Sequence, residues 1–181
     1  MYLNIITPCS RPENLHRIAE TINIPKEHYR WIVVFDFLIT PDQSLIPAIC
    51  ETHCFQMNGS IVGHAQRNYA LNLIEKGHIY FNDDDTCIHA DLWENIKNCD
   101  EADFISFPQL NKNGHLRLKS DVIEVGYIDS HNFIVSCDVA KKHQFEIDKY
   151  EADGIFAKSC YEDALKPHYI STPLSIYNQL R

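Results

Sequence analysis

Trp31-Ile32-Val33-Val34-Phe35 is an unbroken apolar run of strand length, and it ends in Asp36. A strand that is apolar on both faces belongs inside a sheet covered by helices on both sides, the usual setting of parallel sheets. The run is one of several. Residues 2–6 form a strand-like opening before Thr7-Pro8-Cys9 turns the chain, and His78-Ile79-Tyr80-Phe81 is a third apolar, aromatic and β-branched segment. Residues 54–57 are a weaker strand candidate, and Phe104 to Phe107 a later one. Between these lie helical stretches. Ser10 and Glu13 have capping-box spacing and Pro12 suits a first turn, after which Leu15, Ile18, Ala19 and Ile22 share one face. A second helix covers residues 63–76 with Ala70, Leu71 and Ile74 as its stripe and Gly77 as its αL terminator. A third covers residues 91–99. Strand and helix therefore alternate through the first 110 residues, which predicts an α/β fold with a mostly parallel sheet flanked by helices.

At 181 residues the chain is expected to form a single compact domain. The first half, residues 1–110, is the regular part. Residues 111–181 are less so, with strands expected at 116–118, 122–125 and 132–135, helices near Val139 and from Asp153, and an extended stretch around Pro173. A net charge of −9 argues against nucleic acid as a partner. The seven cysteines have no paired CxxC spacing and suit a reducing compartment. With no signal-like start and no apolar run long enough to span a bilayer, a soluble, cytoplasmic protein is expected.

Asn82-Asp83-Asp84-Asp85 stands directly behind the third apolar strand. Three adjacent carboxylates at one strand end repel one another, and a divalent cation relieves that conflict. Carboxylate and water are the ligands Mg²⁺ and Mn²⁺ prefer, often completed by substrate phosphates. The competing reading is an Asp-rich surface turn. In an open α/β sheet, ligands bind outside the carboxyl ends of the strands, where residues 7–11, Asp36 and residues 83–85 all fall. Arg67 lies on the inward stripe of its helix near the N-terminus, where the helix dipole disfavours a cation, so a ligand role outweighs simple pairing. Neither a dinucleotide fingerprint nor a GxxxxGK[ST] loop is present. An anionic, phosphorylated ligand would have to be held by metal and local arginine.

The ordered series Ile5-Ile6-Thr7-Pro8, Arg11-Pro12, Trp31 to Asp36, Gly63-His64-Ala65-Gln66-Arg67-Asn68-Tyr69-Ala70-Leu71 and Tyr80-Phe81-Asn82-Asp83-Asp84-Asp85 resembles the donor-binding half of the β-1,3-glucuronyltransferases. These are metal-dependent inverting glycosyltransferases of the GT-A fold with a DXD-type acidic motif. The resemblance implies that Thr7, Pro8 and Asp36 line a uridine pocket, with Arg11 among the nucleotide-binding positions and Arg67 on the nucleotide. It gives Asp84 to the ribose and Asp85 to Mn²⁺ or Mg²⁺ beside the diphosphate, with Asp83 in the same acidic group. Ile128-Asp129 followed by Asn132-Phe133-Ile134-Val135 is similar to the segment whose Asp touches the donor sugar, which makes Asp129 a sugar-binding candidate. The general base matches Asp153, which also resembles the acidic pair of family 2 glycosyltransferases; helix capping is its rival role and Glu151 the reserve. His168 is the counterpart of a late metal-binding histidine. No counterpart of the family's membrane stem is expected, and its acceptor residues do not align.

The expected activity is transfer of a sugar from a nucleotide diphosphate sugar, most simply a UDP-sugar, to an acceptor hydroxyl. The rival readings are a sugar-phosphate nucleotidyltransferase and a catalytically degenerate sugar-nucleotide-binding or carbohydrate-binding protein.

Overall fold

A computed structural model describes residues 1–37, 41–61 and 63–181. Its centre is a seven-stranded sheet built from β1 (Leu3–Cys9), β2 (Tyr29–Phe35), β3 (Cys50–Cys54), β4 (His78–Phe81), β5 (Phe104–Ser106), β8 (Phe133–Ser136) and β9 (Pro167–Tyr169). The strand order is β3-β2-β1-β4-β8-β5-β9. All neighbours run parallel except β8, which is antiparallel to both β4 and β5. A three-stranded sheet of order β10-β6-β7 stands apart, formed by β6 (Gln109–Asn111), β7 (Leu116–Leu118) and β10 (Ser175–Tyr177).

The alternation of side chains along each strand explains the layering. Trp31, Val33 and Phe35 pack with Leu15 and Ile18 of α1 (Leu15–Ala19) and with Leu92, Trp93 and Ile96 of α3 (Leu92–Ile96). Ile32 and Val34 face the other way. They join Ala70 and Leu71 of α2 (His64–Asn72), Val139 of α4 (Cys137–Ala140), and Phe156 and Cys160 of α5 (Ala152–Asp163). Every residue from Trp31 to Phe35 is buried, which is why the run carries no polar alternation.

Several local expectations shift. β1 continues through Thr7, Pro8 and Cys9, because all three pair with β2. The capping box does not form: Ser10 turns its hydroxyl to Asp84, and a short 3₁₀ segment over Pro12–Asn14 begins the helix. Residues 54–57 are not the third strand; β3 lies earlier, at Cys50–Cys54, where it pairs with β2. Residues 122–125 form no strand and hold only an isolated bridge from Val125 to Ile128. The short β6 was not expected.

Topology places the site. The chain leaves β1 toward β2 and β3, then crosses back to lay β4 on the opposite side of β1. The carboxyl ends of β1 and β4 flank that switch point, where open α/β sheets hold ligands. Because β8 is antiparallel, its amino end meets the same edge: Tyr80 of β4 pairs with Ile134, and its hydroxyl donates to the His131 carbonyl at 3.2 Å.

Gly63 closes the crossover. Its φ is +75°, and an added Cβ would sit 2.6 Å from Pro8 Cβ. Both the left-handed backbone and the contact with Pro8 exclude a side chain. Gly63→Ala is expected to lose about 2–4 kcal/mol in a denaturant titration. A midpoint equal to that of the parent protein would show that the loop absorbs the methyl group.

Candidate active site

Asp84 organises the loop after β1. The residue is 3% exposed, and its carboxylate accepts from Ser10 N at 2.6 Å, Ser10 Oγ at 3.0 Å, Arg11 N at 2.8 Å and Arg11 Nη1 at 2.5 Å. These donors occupy about as many sites as a carboxylate offers. The ribose role is therefore replaced: Asp84 anchors Ser10 and Arg11. Thr7 is corrected likewise. It is fully buried, and its hydroxyl accepts from the Trp31 indole at 2.9 Å, beneath the cleft rather than in it.

Asp83 and Asp85 point elsewhere. Asp83 Oδ1 accepts from Arg67 Nη2 at 2.5 Å, and its Oδ2 lies 3.1 Å from His131 Nε2. Asp85 Oδ2 lies 2.6 Å from Arg181 Nε and 3.4 Å from Arg11 Nη1. Burial opposes ionisation of Asp83, but the Arg67 and His131 charges hold it well below the usual carboxylate range. Burial also opposes the charge on His131, and the Asp83 carboxylate outweighs it, raising the imidazole to about 9.

Asp83, Asp85 and His131 each offer a ligand atom, all within 4.8 Å of one another. Among the described residues neither ring nitrogen of buried His131 makes a well-formed hydrogen bond. Two carboxylates and an imidazole, once it gives up the proton that Asp83 now favours, fit a divalent cation of the Mn²⁺ type. His168 does not join them. It lies exposed on β9 in register with Ile105 and lines a separate depression with Asn98, Cys99 and Glu101. His131, not His168, is the histidine beside the acids, brought there by the reversed β8.

Two clefts meet at this centre. The first, about 260 Å³, is lined by Pro8, Ser10, Arg11, Asp36, Gly63 and the three acids. Asp36 accepts from Gln66 Nε2 at 2.7 Å, which fixes its carboxylate at the rim. The second, about 370 Å³, is lined by Arg67, Arg117, Asp129, Tyr150, Glu151, Asp153 and Tyr177 among others. Asp83 and Arg181 line both. Arg67, 2% exposed, sits within 3.1 Å of His64 Nδ1 and lies over the Phe145 ring.

Asp129 and Asp153 face one another in the second cleft. Asp129 accepts from Arg117 Nη1 at 2.7 Å and from Ser130 N at 2.7 Å. Arg117 in turn stacks 3.7 Å over Tyr177. Asp153 occupies the first turn of α5 and accepts from Gly154 N at 2.8 Å. Burial and the Asp129 carboxylate push it up to about 6, against the pull of Arg67 and the Gly154 amide. Glu151, the reserve candidate, is exposed at the helix N-cap and makes no side-chain cap. The arrangement has three chemical capacities: a cation site, an arginine-lined anion cleft in a chain of net charge −9, and a carboxylate poised to take a proton near neutral pH. His131, Arg117 and Arg181 escaped sequence reasoning. Their sequence neighbourhoods carry no motif, apart from the position of His131 two residues after Asp129.

No family model matches the chain, and no curated protein matches its sequence. Solved structures do match. Residues 1–349 of S. aureus TarS in complex with UDP superpose with a TM-score of 0.77 at 19% identity, covering 97% of this chain and 60% of that one. The mannosyltransferase PcManGT from Pyrobaculum calidifontis, in complex with GDP-Man and Mn²⁺, gives 0.70 at 11% identity, covering 97% and 56%. The bifunctional IspDF from Campylobacter jejuni gives 0.58 at 10% identity, covering 100% and 51%. The chain thus spans 51–60% of these structures. Among the described residues no helix is long and apolar enough to cross a membrane. The fold is that of the GT-A nucleotide-diphospho-sugar transferases.

Proposed function

We propose that the chain is a metal-dependent, inverting glycosyltransferase that moves a sugar from a UDP-sugar to an acceptor hydroxyl. The observation that carries this reading is the pair of clefts joined at Asp83 and Arg181, with a cation-fitting triad at one end and the Asp129–Asp153 pair at the other. The solved complexes of the same fold with UDP and with GDP-Man and Mn²⁺ support a nucleotide sugar as donor.

In this reading Pro8 and Asp36 border the nucleoside, and Arg11, Arg67 and Arg181 surround the diphosphate. Asp83, Asp85 and His131 would hold Mn²⁺ or Mg²⁺, whose charge stabilises the departing diphosphate. Asp129, steadied by Arg117, faces the sugar. Asp153 takes the proton of the acceptor hydroxyl as that oxygen attacks the anomeric carbon from the side away from the diphosphate. Its place in the second cleft, remote in sequence from the acids, suits that opposed geometry. Residues 1–110 then serve as the donor half and residues 111–181 as the acceptor and catalytic half.

The test is a thermal-shift titration with UDP, GDP, CDP and their sugar conjugates in Mn²⁺, Mg²⁺ or EDTA. Ligand at a hundred times its Kd adds about 2.7 kcal/mol, or roughly 5–10 °C for a chain of this size. UDP with Mn²⁺ is expected to reach that shift and EDTA to remove it. No shift with any nucleotide in either metal sinks the proposal. Release of pyrophosphate from a nucleoside triphosphate would favour the nucleotidyltransferase reading. Tight donor binding without transfer across a broad acceptor panel would favour a degenerate binding protein.

A further inference from the structure

The acids of the proposed cation site are already neutralised by protein cations, and these are not equally committed. Arg67 is buried and braced by His64, Asp83 and the Phe145 ring. Arg11 divides its guanidinium between Asp84 and Asp85, and its backbone amide is also held by Asp84. Arg181 differs from both. Its side chain is 54% exposed, and among the described residues its guanidinium has Asp85 as its one polar partner.

The backbone that carries Arg181 is fixed. Leu180 N donates to the Asp85 carbonyl at 2.8 Å, Arg181 N donates to the Asn178 carbonyl at 3.3 Å, and Asn178 turns the chain with φ +50°. A firmly seated backbone thus bears a long, exposed side chain at the seam of the two clefts. Releasing that side chain leaves the buried Asp85 carboxylate without this partner, a loss that the incoming cation makes good.

We propose that Arg181 is a diphosphate-binding residue that competes with the divalent cation for Asp85. A cation ligated by Asp85 Oδ2 takes the oxygen that Arg181 Nε now contacts at 2.6 Å. The displaced guanidinium has a new partner within the same seam. A nucleoside diphosphate carries roughly three negative charges near neutral pH, and a divalent cation offsets two. Arg181 offsets the remainder, with a planar donor fork suited to phosphate oxygens. Metal and nucleotide binding are thereby coupled through one side chain: the cation frees the arginine that the diphosphate then uses.

The inference rests on the nucleotide-diphosphate reading of this cleft. Calorimetric titration of the parent protein, Arg181→Ala and Arg181→Lys tests it, first with Mn²⁺ alone and then with UDP at saturating Mn²⁺. Circular dichroism confirms that each variant is folded. Arg181→Ala is expected to bind Mn²⁺ alone about two- to fivefold tighter, because a competitor is removed. It is expected to bind UDP with Mn²⁺ about tenfold or more weaker, because a charged hydrogen-bond donor is lost. Arg181→Lys, which keeps the charge, should recover part of the UDP affinity. Opposite signs for the two ligands separate this role from a merely structural one, which would weaken both. Mn²⁺ affinity that is unchanged or weaker in Arg181→Ala overturns the competition, and unchanged UDP affinity overturns the diphosphate role. If the parent protein binds Mn²⁺ but no UDP, the nucleotide reading fails and the diphosphate role with it, while the Mn²⁺ series still decides the competition.

Discussion

Asp153→Asn is expected to lower sugar transfer by about 10²–10⁴-fold, the usual contribution of a positioned base, and to raise thermal stability at the same time. The two effects share one cause. Burial beside Asp129 lifts the Asp153 carboxyl to about 6. A carboxyl raised above its unfolded value stabilises the fold while protonated. That contribution is fully present below the ordinary Asp pKa of about 4 and is lost as pH rises through about 6. At pH 7 the parent protein therefore holds two facing carboxylates at a cost that an amide avoids, since the introduced amide group would donate to Asp129. The gain at pH 7 is about 1–2 kcal/mol, or roughly 3–6 °C, and it should vanish near pH 4. Binding of UDP with Mn²⁺ should change little. For the proposed transfer by the parent protein the sign runs the other way: the rate should fall about tenfold per unit below pH 6 and level off above pH 7. Unchanged turnover in Asp153→Asn would clear this residue of the base role. A loss of activity accompanied by a loss of stability would point to a purely structural residue.

Asp85→Ala is expected to abolish the metal-dependent part of UDP binding and, with it, transfer. The same titration discriminates between the two histidines. His131→Ala should weaken Mn²⁺ binding by about 10- to 100-fold, in line with the loss of a ligand or its close support. His168→Ala should leave it as in the parent protein, because His168 lies on the exposed β9 edge away from the acids. Retention of Mn²⁺-dependent UDP affinity in Asp85→Ala would falsify the cation assignment. Since Asp85 also pairs with Arg11 and Arg181, folding of each variant should be confirmed by its melting transition.

The fold was legible where burial left a period in the sequence. The run from Trp31 to Phe35 has no polar alternation because one face meets α1 and α3 while the other meets α2, α4 and α5. β4 and β7 fall where their residues suggested; Gly77 has a positive φ, but it does not close α2, which ends at Asn72 with Leu73 as its cap. The third strand was harder. β3 is half-buried throughout, and its place was fixed by pairing with β2 rather than by its own pattern.

The site divides in the same way. Asp83, Asp85, Arg67 and Asp36 line the two clefts because each sits near the end of an element whose direction the sequence already implied. Thr7 and Asp84 have the right addresses and different tasks. A hydroxyl under the Trp31 indole and a carboxylate filled by Ser10 and Arg11 are facts of packing, invisible to spacing.

By itself the sequence determined the parallel α/β core and the delivery of acids and arginines to one sheet edge, because strand and helix periods are local and the carboxyl edge follows from their alternation. Only the tertiary structure decided which groups work together there. The antiparallel β8 brings His131 to Asp83, and the turn at Asn178 lays Arg181 on Asp85. The Asp129–Asp153 pair likewise joins residues that no helix or strand period relates. Such partnerships are set by which surfaces the chain packs against one another, and a one-dimensional pattern carries no record of them.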